Sequence, residues 1–491
     1  MAGEESLNYE SIMQLALERG FYFPSCEIYS DAQAGFWEYG PSGVSMKAKF
    51  IELWRRELVR RDGMLEIDGS QIMSQSVFEA SGHLASFADP IVRCKQCGLN
   101  HRADKLIFEV SKIEIPESAD LGEFDRVISE KNIRCPKCKG EFDKARKFNM
   151  MFKVEIGPEA EPAYLRPETC QSIFVDFPRL FKTMRGKLPL GIAQIGKSFR
   201  NEISPRQSLL RLREFYQAEI EVFCNPNKLN DLERFSEIQN TTIRLWLNEE
   251  SKAMTCKEAV ESGVLPNKFV AYYLGLLTEF YEKTGIDMAR SRFRKLGEKE
   301  KAFYASVAFD FEVHTTIGWL ELVACNYRSD YDLTSHANKS KEKFEVLDDE
   351  QKVLPHVFEI SMGIDRSLYT ILEHGLKEDK PNDRIVLSIR PYLAPVHVGV
   401  LSLVKKDGLK EKTDEVFMAL RRKYDAFLDH SGAIGRRYRR LDEVGAPFAI
   451  TVDHQTLQDQ TVTLRHRDSM QQDRIKISDI DSVLARAVSF P

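Results

Sequence analysis

The spacing of apolar residues divides the chain into stretches of different period. Leu7, Ile12, Leu15 and Leu17 recur at helical intervals before Gly20, which predicts a short helix over 7–20. A turn-rich stretch runs from Gly35 to Gly43. After it, Met46, Phe50, Leu53, Trp54 and Leu58 mark an amphipathic helix from about Val44 to Arg61. From Phe148 to Phe223 the pattern is one of short strands between turns rich in Gly and Pro. Residues 228–300 carry both signs of charge, as in Asp231–Asn248 and Lys268–Thr284, and predict mostly helix. A strand-like run, Phe309–Cys325, follows. Ser335–Lys352 is charge-dense and poor in apolar residues, as expected of a surface excursion, and 355–375 reads as a strand turning into a helix. Beyond Pro381 the period changes again. Strands at Val396–Val404, Phe448–Val452 and Gln460–Arg465, with a helix at Leu409–Leu428, predict a small α/β domain whose boundary lies near residue 385.

At 491 residues the chain is too long for one ordinary core, and its length suggests roughly three domains. With 43% hydrophobic and 30% charged residues it has ample material for a globular interior and needs no disulfide to stay folded. A net charge of -5 selects no partner, because a multidomain enzyme can carry a local basic face within a neutral total. No run of about 18 apolar residues exists, so no membrane span is expected. Met1–Tyr9 is polar and acidic, so neither a secretory signal nor an Arg-rich transit peptide is expected. Of nine cysteines, Cys26, Cys170, Cys224, Cys256 and Cys325 stand alone. That usage suits a reducing compartment, and a cytoplasmic location is expected.

The other four cysteines form two CxxC pairs, Cys94–Cys97 and Cys135–Cys138, each followed closely by glycine. Two such knuckles complete a tetrahedral Cys₄ zinc site of structural type, since four thiolates leave no open coordination position. The wide gap requires a small inserted lobe. A redox pair is the competing explanation, but redox CxxC motifs do not usually come in duplicate.

Two further constellations carry charge at strand spacing. Arg200 and Glu202 precede a loop through Pro205, and the chain returns with Arg211, Phe215, Glu219 and Glu221. As a hairpin, this places Arg200 with Glu202 on one face, and Arg211, Phe215 and Glu219 on one face of the return strand. Such a face offers guanidinium groups for phosphate, a flat ring for a nucleobase and carboxylates for an amine. Further on, Glu359 and Ser361 share a strand face, Gly363 marks a turn, and Arg366 falls in the first turn of a helix, a place suited to an anion.

Together these segments resemble motifs 2 and 3 of the class II aminoacyl-tRNA synthetases, and the Pro41 turn with its helix resembles motif 1, which in that family builds a dimer interface. The strings Tyr39–Gly43, Tyr164–Thr169, Arg200–Arg206 and Glu359–Ser361 resemble, more narrowly, the glycyl-tRNA synthetases of the dimeric archaeal and eukaryotic type. The resemblance runs from about residue 7 to 488. It implies an α+β fold with an antiparallel-sheet catalytic domain over 1–384, a zinc-bearing insertion at 92–147 and a mostly helical insertion at 228–305. A C-terminal α/β anticodon-binding domain would cover 385–491. Clustered arginine with Tyr438 in Gly432–Arg440, and Thr461–Asp468, fit contact with RNA there. The implied activity is activation of glycine with ATP and Mg²⁺, then transfer to tRNA-Gly, by a homodimer.

By the same resemblance Arg200 holds the α-phosphate, Glu202 contacts the adenine amino group, and Phe215 and Arg366 flank the ring. Arg211 reaches the γ-phosphate, Asn201, Leu212 and Leu322 complete the ATP site, and Glu321 helps hold ATP-bound magnesium, with Arg328 close by. Arg200, Glu202 and Arg366 are the catalytic set. Glu168, Glu219, Glu359 and Ser361 are expected to form the glycine pocket, where carboxylates suit an ammonium group and crowding excludes a side chain. Two departures bear on the site: Ser208 stands where glycine is expected in the motif 2 loop, and Cys170 stands where alanine is usual. With no histidine evidently paired to it, Cys170 reads as a packed small residue and not as a nucleophile.

Overall fold

The computed structural model describes residues 7–116, 119–203, 205, 207–247, 249–298, 300–302 and 304–491. Residues 1–6, Ser204 and Arg206 of the Arg200–Arg206 string, and Asn248 of the Asp231–Asn248 stretch lie outside the described residues.

A nine-stranded sheet forms the centre, and strict alternation shapes its long strands. In Glu214–Cys224, Ala218, Ile220 and Val222 turn to one side, while Gln217, Glu219 and Glu221 turn to the other. This strand pairs antiparallel with Leu190–Phe199 and with His356–Gly363. Beyond His356–Gly363 the order continues through Gly318–Ser329, Val307–Thr315, Ser291–Lys295, Thr242–Leu247 and Glu250–Thr255. Leu65–Ile67 closes the opposite edge. Among the described residues, two pairings of this sheet are parallel, Leu65–Ile67 with Leu190–Phe199 and Thr242–Leu247 with Ser291–Lys295.

One sheet face is apolar. Ile220, Phe311, Ile360 and Met362 pack there against the helices Pro41–Trp54, Lys268–Thr284 and Ile364–Gly375 in the main core. The other face changes character along the strands. At one end Ile192, Phe223 and Val357 meet the helix Cys170–Thr183, with Phe177 stacked on Phe223 at 4.0 Å between ring centroids. In the middle the buried side chains are polar: Gln194, Glu219, Glu221 and Glu359. At the far end the face opens at Phe215 and Gly363. That gradient positions the site.

Several local expectations need correction. The first helix spans Tyr9–Glu18, and Ala16 takes the buried place assigned to Leu17, which is 48% exposed. Five residues after Ile12, Leu17 lies about 140° around the helix from it. Among the short strands expected over 148–223 sits a helix, Cys170–Thr183. Pro178 within it masked the helical spacing of Ile173, Phe174 and Phe177. The 228–305 segment is not mostly helical. Its helices Phe235–Ile238, Cys256–Glu261 and Lys268–Thr284 are interleaved with three strands of the central sheet. Charge density had hidden the period-two alternation of Thr242–Leu247, in which Ile243 and Leu245 are buried. The helix expected at Leu409–Leu428 stops at Leu420, and Ala426–Asp429 is a strand. Ser335–Lys352 lies partly in the helix Tyr331–Ser340 and partly in a hairpin anchored by buried Phe344. By contrast, all five apolar positions marked after Gly43 are buried, four along Pro41–Trp54 and Leu58 in the wider turns of Arg55–Arg60.

Between the sheet edge and the helix Cys170–Thr183 a lobe is inserted. Strands Ala88–Arg93 and Arg146–Asn149 form its stem, and the helices Ala103–Ser111 and Leu121–Glu130 share a small core with Val92. In the C-terminal part, five strands run in the order Ala426–Asp429, Val398–Ser402, Phe448–Val452, Thr461–His466 and Gln472–Lys476, the first three parallel and the last two antiparallel. The Pro41–Trp54 helix ties this part to the rest. Lys49 pairs with Asp425 at 2.7 Å, and the Ser45 hydroxyl donates to the Pro395 carbonyl at 3.0 Å.

Candidate active site

The polar middle of the sheet face is the floor of a cleft that Glu168, Glu359 and Ser361 line, with Glu219 buried behind Ser361 and Gln217. Glu219 and Glu221 come from Glu214–Cys224, and Glu359 and Ser361 lie directly opposite on His356–Gly363, with Ser361 facing Glu219 and Glu359 facing Glu221. Glu168 arrives from the turn before the helix Cys170–Thr183. A hydroxyl and amide network holds these groups. Ser361 and Gln217 donate to Glu219 Oε1 at 2.7 and 2.6 Å, and Thr169 donates to Oε2 at 2.6 Å. Asn326 donates to Glu359 Oε2 at 2.5 Å, and Arg328 Nη1 to its Oε1 at 2.7 Å. Arg328 is itself buried and forks onto Asp332 at 2.6 and 2.7 Å.

These carboxylates are not equivalent. Burial favours the neutral acid in each. For Glu168 the His83 imidazole, 3.3 Å away, and the Arg328 guanidinium outweigh burial and hold the carboxyl well below its usual range. For Glu359 burial wins over Arg328, reinforced by Glu219 and Glu168, and pushes it up to about 7. Burial and Glu168 raise Glu219. Burial and Glu359 raise Glu221 well above the ordinary carboxylate value, and both its oxygens lack a hydrogen-bond partner among the described residues. The floor therefore holds one carboxylate kept below its usual range and three pushed above it. Cys170 is inert here: its thiol is buried, donates to Glu168 at 3.0 Å and is pushed well up by burial and by that carboxylate.

The mouth of the cleft is basic and aromatic. Arg200 follows the end of Leu190–Phe199, donates to the Pro167 carbonyl at 3.1 Å and lies 5.3 Å over the Phe215 ring. Arg211 does not lie on the return strand but precedes it, and pairs with Glu202 at 2.6 Å. Arg366 sits in the first turn of Ile364–Gly375, donates to the Leu210 and Glu321 carbonyls, and stands 3.5 Å from the Glu321 carboxylate. Leu212 and Leu322 line the cleft with Glu321. Asn201 does not: its amide N–H donates to the Met150 carbonyl at 2.8 Å and fastens this loop to the lobe. Burial, reinforced by the Glu321 carboxylate, raises Asp310 to about 7. Gln207 and Ser208 both take positive φ, 69° and 46°, and Ser208 is the position where glycine was expected.

In the inserted lobe the four cysteines converge, their sulfur atoms all within 4.8 Å of one another. Cys94 and Cys138 sulfurs are 3.4 Å apart, and those of Cys97 and Cys135 3.7 Å. Four thiolates about 2.3 Å from one tetrahedral zinc would be about 3.8 Å apart, so the set fits that ion. Each knuckle is closed by backbone bonds, Gly98 N–H to Cys94 O and Lys139 N–H to Cys135 O.

Sequence reading passed over Gln217, Asn326, Tyr304 and His83. The first two carry a signal: each lies two residues before a marked residue, Glu219 and Arg328, on the same strand face. Tyr304, whose ring lies 3.7 Å from the Arg328 guanidinium, and His83 carry none.

Comparison with known proteins agrees with this arrangement. Residues 152–375 match the family described as tRNA synthetase class II core domain (G, H, P, S and T), and residues 397–486 match an anticodon binding domain. Among solved structures, a threonyl-tRNA synthetase RNA-binding-domain structure from Cryptosporidium parvum Iowa II superposes with a TM-score of 0.59 over 98% of each chain. At 18% identity this likeness speaks to the fold alone. In sequence, the glycine–tRNA ligase of Methanothrix thermoacetophila is 40% identical over 95% of this chain and 95% of its own length. The corresponding enzymes of Methanocaldococcus jannaschii and Pyrococcus abyssi are 38% and 37% identical over 96% and 99% of this chain, and over 97% and 99% of their own lengths. Since the likeness spans lobe, cleft and C-terminal sheet alike, the chain belongs to the glycine–tRNA ligase family of class II aminoacyl-tRNA synthetases.

Proposed function

We propose that the chain activates glycine with ATP and transfers it to tRNA-Gly, and that the cleft over the central sheet is where both steps occur. The observation that carries this is the juxtaposition in one cleft of buried carboxylates at the floor with Arg200, Arg211, Phe215 and Arg366 at the mouth. The glycine ammonium sits among Glu168, Glu219 and Glu359, with Ser361 beside them. Its carboxylate then points toward the mouth and attacks the ATP α-phosphorus, and pyrophosphate leaves. Arg200 holds the α-phosphate and Arg211 the γ-phosphate, Glu202 meets the adenine amino group, and Phe215 and Arg366 flank the ring. In the second step the terminal ribose hydroxyl of the tRNA attacks the glycyl carbonyl and AMP leaves. No side-chain nucleophile is needed, and catalysis rests on positioning and on guanidinium charge. Magnesium bound with ATP would neutralise phosphate charge, with Glu321 as its protein partner.

Exclusion of larger amino acids rests on the hydrogen-bonded walls. A methyl group that merely fills space changes binding by about 1–3 kcal/mol, so rejection of alanine depends on a wall that cannot yield. The Glu219–Ser361–Gln217–Ser198 chain of hydrogen bonds supplies such a wall. In the lobe, Cys94, Cys97, Cys135 and Cys138 would hold a structural zinc ion. We assign residues 1–384 to the catalytic domain and 385–491 to an anticodon-binding domain, and a homodimer built on the Pro41–Trp54 helix follows from the family. Among the described residues no helix is long and apolar enough to cross a membrane.

The test is amino-acid-dependent ATP–pyrophosphate exchange with glycine, alanine, serine, threonine, proline and histidine. Exchange with glycine alone is expected. Exchange with another amino acid instead would show that the pocket residues had been misassigned.

A further inference from the structure

Glu168 is the one floor carboxylate that its neighbours hold below the usual range, and one of those neighbours, His83, comes from outside the sheet. His83 opens a short helix, His83–Ser86, in the segment that leads into the lobe. Its Nε2 lies 3.3 Å from Glu168 Oε1, and its Nδ1 lies 2.7 Å from the Ser81 hydroxyl. Phe78 and Phe87 meet the imidazole edge-on at 6.0 and 5.6 Å between centroids, so the ring has little room to turn. Because the ionised Glu168 carboxylate can only accept, the ring presents a proton on Nε2 toward it, while Nδ1 shares a hydrogen bond with the Ser81 hydroxyl. Ser81 is 4% exposed, which makes it an orienting group and not a nucleophile.

The segment is also fastened at its back. Asn149, on the strand that returns from the lobe, donates its amide to the Leu84 carbonyl at 3.1 Å, and Phe87 accepts from the Met150 N–H at 3.1 Å. Arg200 lies 5.5 Å over the Phe87 ring. The His83 ring is thus fixed relative to both the lobe stem and the mouth of the cleft.

We infer that His83 is a positioning residue for the amino-acid pocket, fixing the Glu168 carboxylate through its Nε2–H so that it can take the substrate ammonium. The inference rests on the reading that this pocket binds glycine. His83 touches neither substrate; it acts through Glu168. Gln171 completes the arrangement from the other side, donating to the same Glu168 oxygen at 2.9 Å while its own carbonyl faces His336 Nε2 at 3.2 Å.

Two substitutions separate a hydrogen-bond role from a packing role. H83F keeps a ring between Phe78 and Phe87 but has no donor; H83Q loses the ring but can present an amide N–H near the position of Nε2. The measurement is glycine-dependent ATP–pyrophosphate exchange by the full-length protein, with KM for glycine, KM for ATP and kcat determined separately and folding checked by thermal unfolding. Loss of one hydrogen bond to a charged group predicts that H83F raises KM for glycine about 10- to 100-fold. KM for ATP should stay within about threefold, and H83Q should recover most of the loss. H83F with unaltered KM for glycine, or H83Q as impaired as H83F, would overturn the inference. Wild-type protein showing no glycine-dependent exchange would instead remove the pocket reading, and this inference with it.

Discussion

Glycine should bind more weakly as the pH falls through neutrality, and Glu359 should be the reason. Its carboxyl is fully enclosed between Asn326 and Arg328, and burial with the neighbouring Glu219 and Glu168 places its titration at about 7. An incoming ammonium group needs the ionised form. Below its titration point each pH unit therefore costs about 1.4 kcal/mol, or tenfold in affinity. KM for glycine should accordingly rise about tenfold between pH 8 and pH 6, while Glu168, held low by His83 and Arg328, contributes nothing in that window. The assay is ATP–pyrophosphate exchange at saturating ATP. Glu359→Gln should weaken glycine at every pH and reduce the change between pH 6 and 8 to about threefold or less. The sign for stability runs the other way. A carboxyl titrating higher in the folded protein than in the unfolded chain holds an extra proton between the two values, so the ligand-free protein loses about 3 kcal/mol in all as pH rises from about 4.5 to beyond 7, of which about 1.4 kcal/mol falls between pH 6 and 8. A flat wild-type profile, or an undiminished slope in Glu359→Gln, would show that Arg328 keeps Glu359 charged throughout and would refute the reasoning.

Other predictions follow from the same geometry. Arg328→Met strands Asp332 and Glu359 as buried carboxylates without their cation, and should lower unfolding free energy by about 3–5 kcal/mol in urea titrations; a loss under about 1 kcal/mol would contradict the pairing. Cys135→Ser should reduce zinc content by atomic absorption and make the lobe susceptible to limited proteolysis while the central sheet stays intact. A protein that never contained zinc would refute the metal assignment. Gly196→Ala would place a methyl carbon 2.0 Å from the Arg166 guanidinium, which donates to Lys197 and Gly69 carbonyls. A loss of about 1–3 kcal/mol is expected, measurable as a lower unfolding midpoint. Phe215→Ala should raise KM for ATP by about tenfold or more if the ring stacks on adenine.

What the sequence disclosed was whatever local spacing determines. The CxxC knuckles were legible because the ligands of each half-site lie three residues apart. The pairing of Glu219 with Ser361 was half legible: period two puts Glu219 and Glu221, and Glu359 and Ser361, on single faces, though their mutual register is a tertiary fact. The contact of His83 with Glu168 joins residues far apart in the chain through a loop with no periodicity, and nothing local marks it. The three strands within 228–305 are masked by dense charge of both signs, for Arg244, Arg292 and Arg294 lie on strands of the sheet. Ser208 looked like a departure from the expected glycine. The structure keeps the left-handed backbone and gives it to serine, at a cost of about 1 kcal/mol.

Both oxygens of Glu221 lack a hydrogen-bond partner among the described residues, and Glu359 and Glu219 crowd it, so like charges are concentrated beneath the cleft. An ammonium group bound among Glu168, Glu219 and Glu359 would offset that concentration, so the amino acid would act on the stability of the fold as well as being a reactant. At a concentration one hundred times its dissociation constant, such a ligand stabilises the folded state by about 2.7 kcal/mol. The resistance of the protein to unfolding and proteolysis would then track the supply of the metabolite it consumes, so that scarcity of the amino acid shortens the lifetime of the enzyme that depends on it.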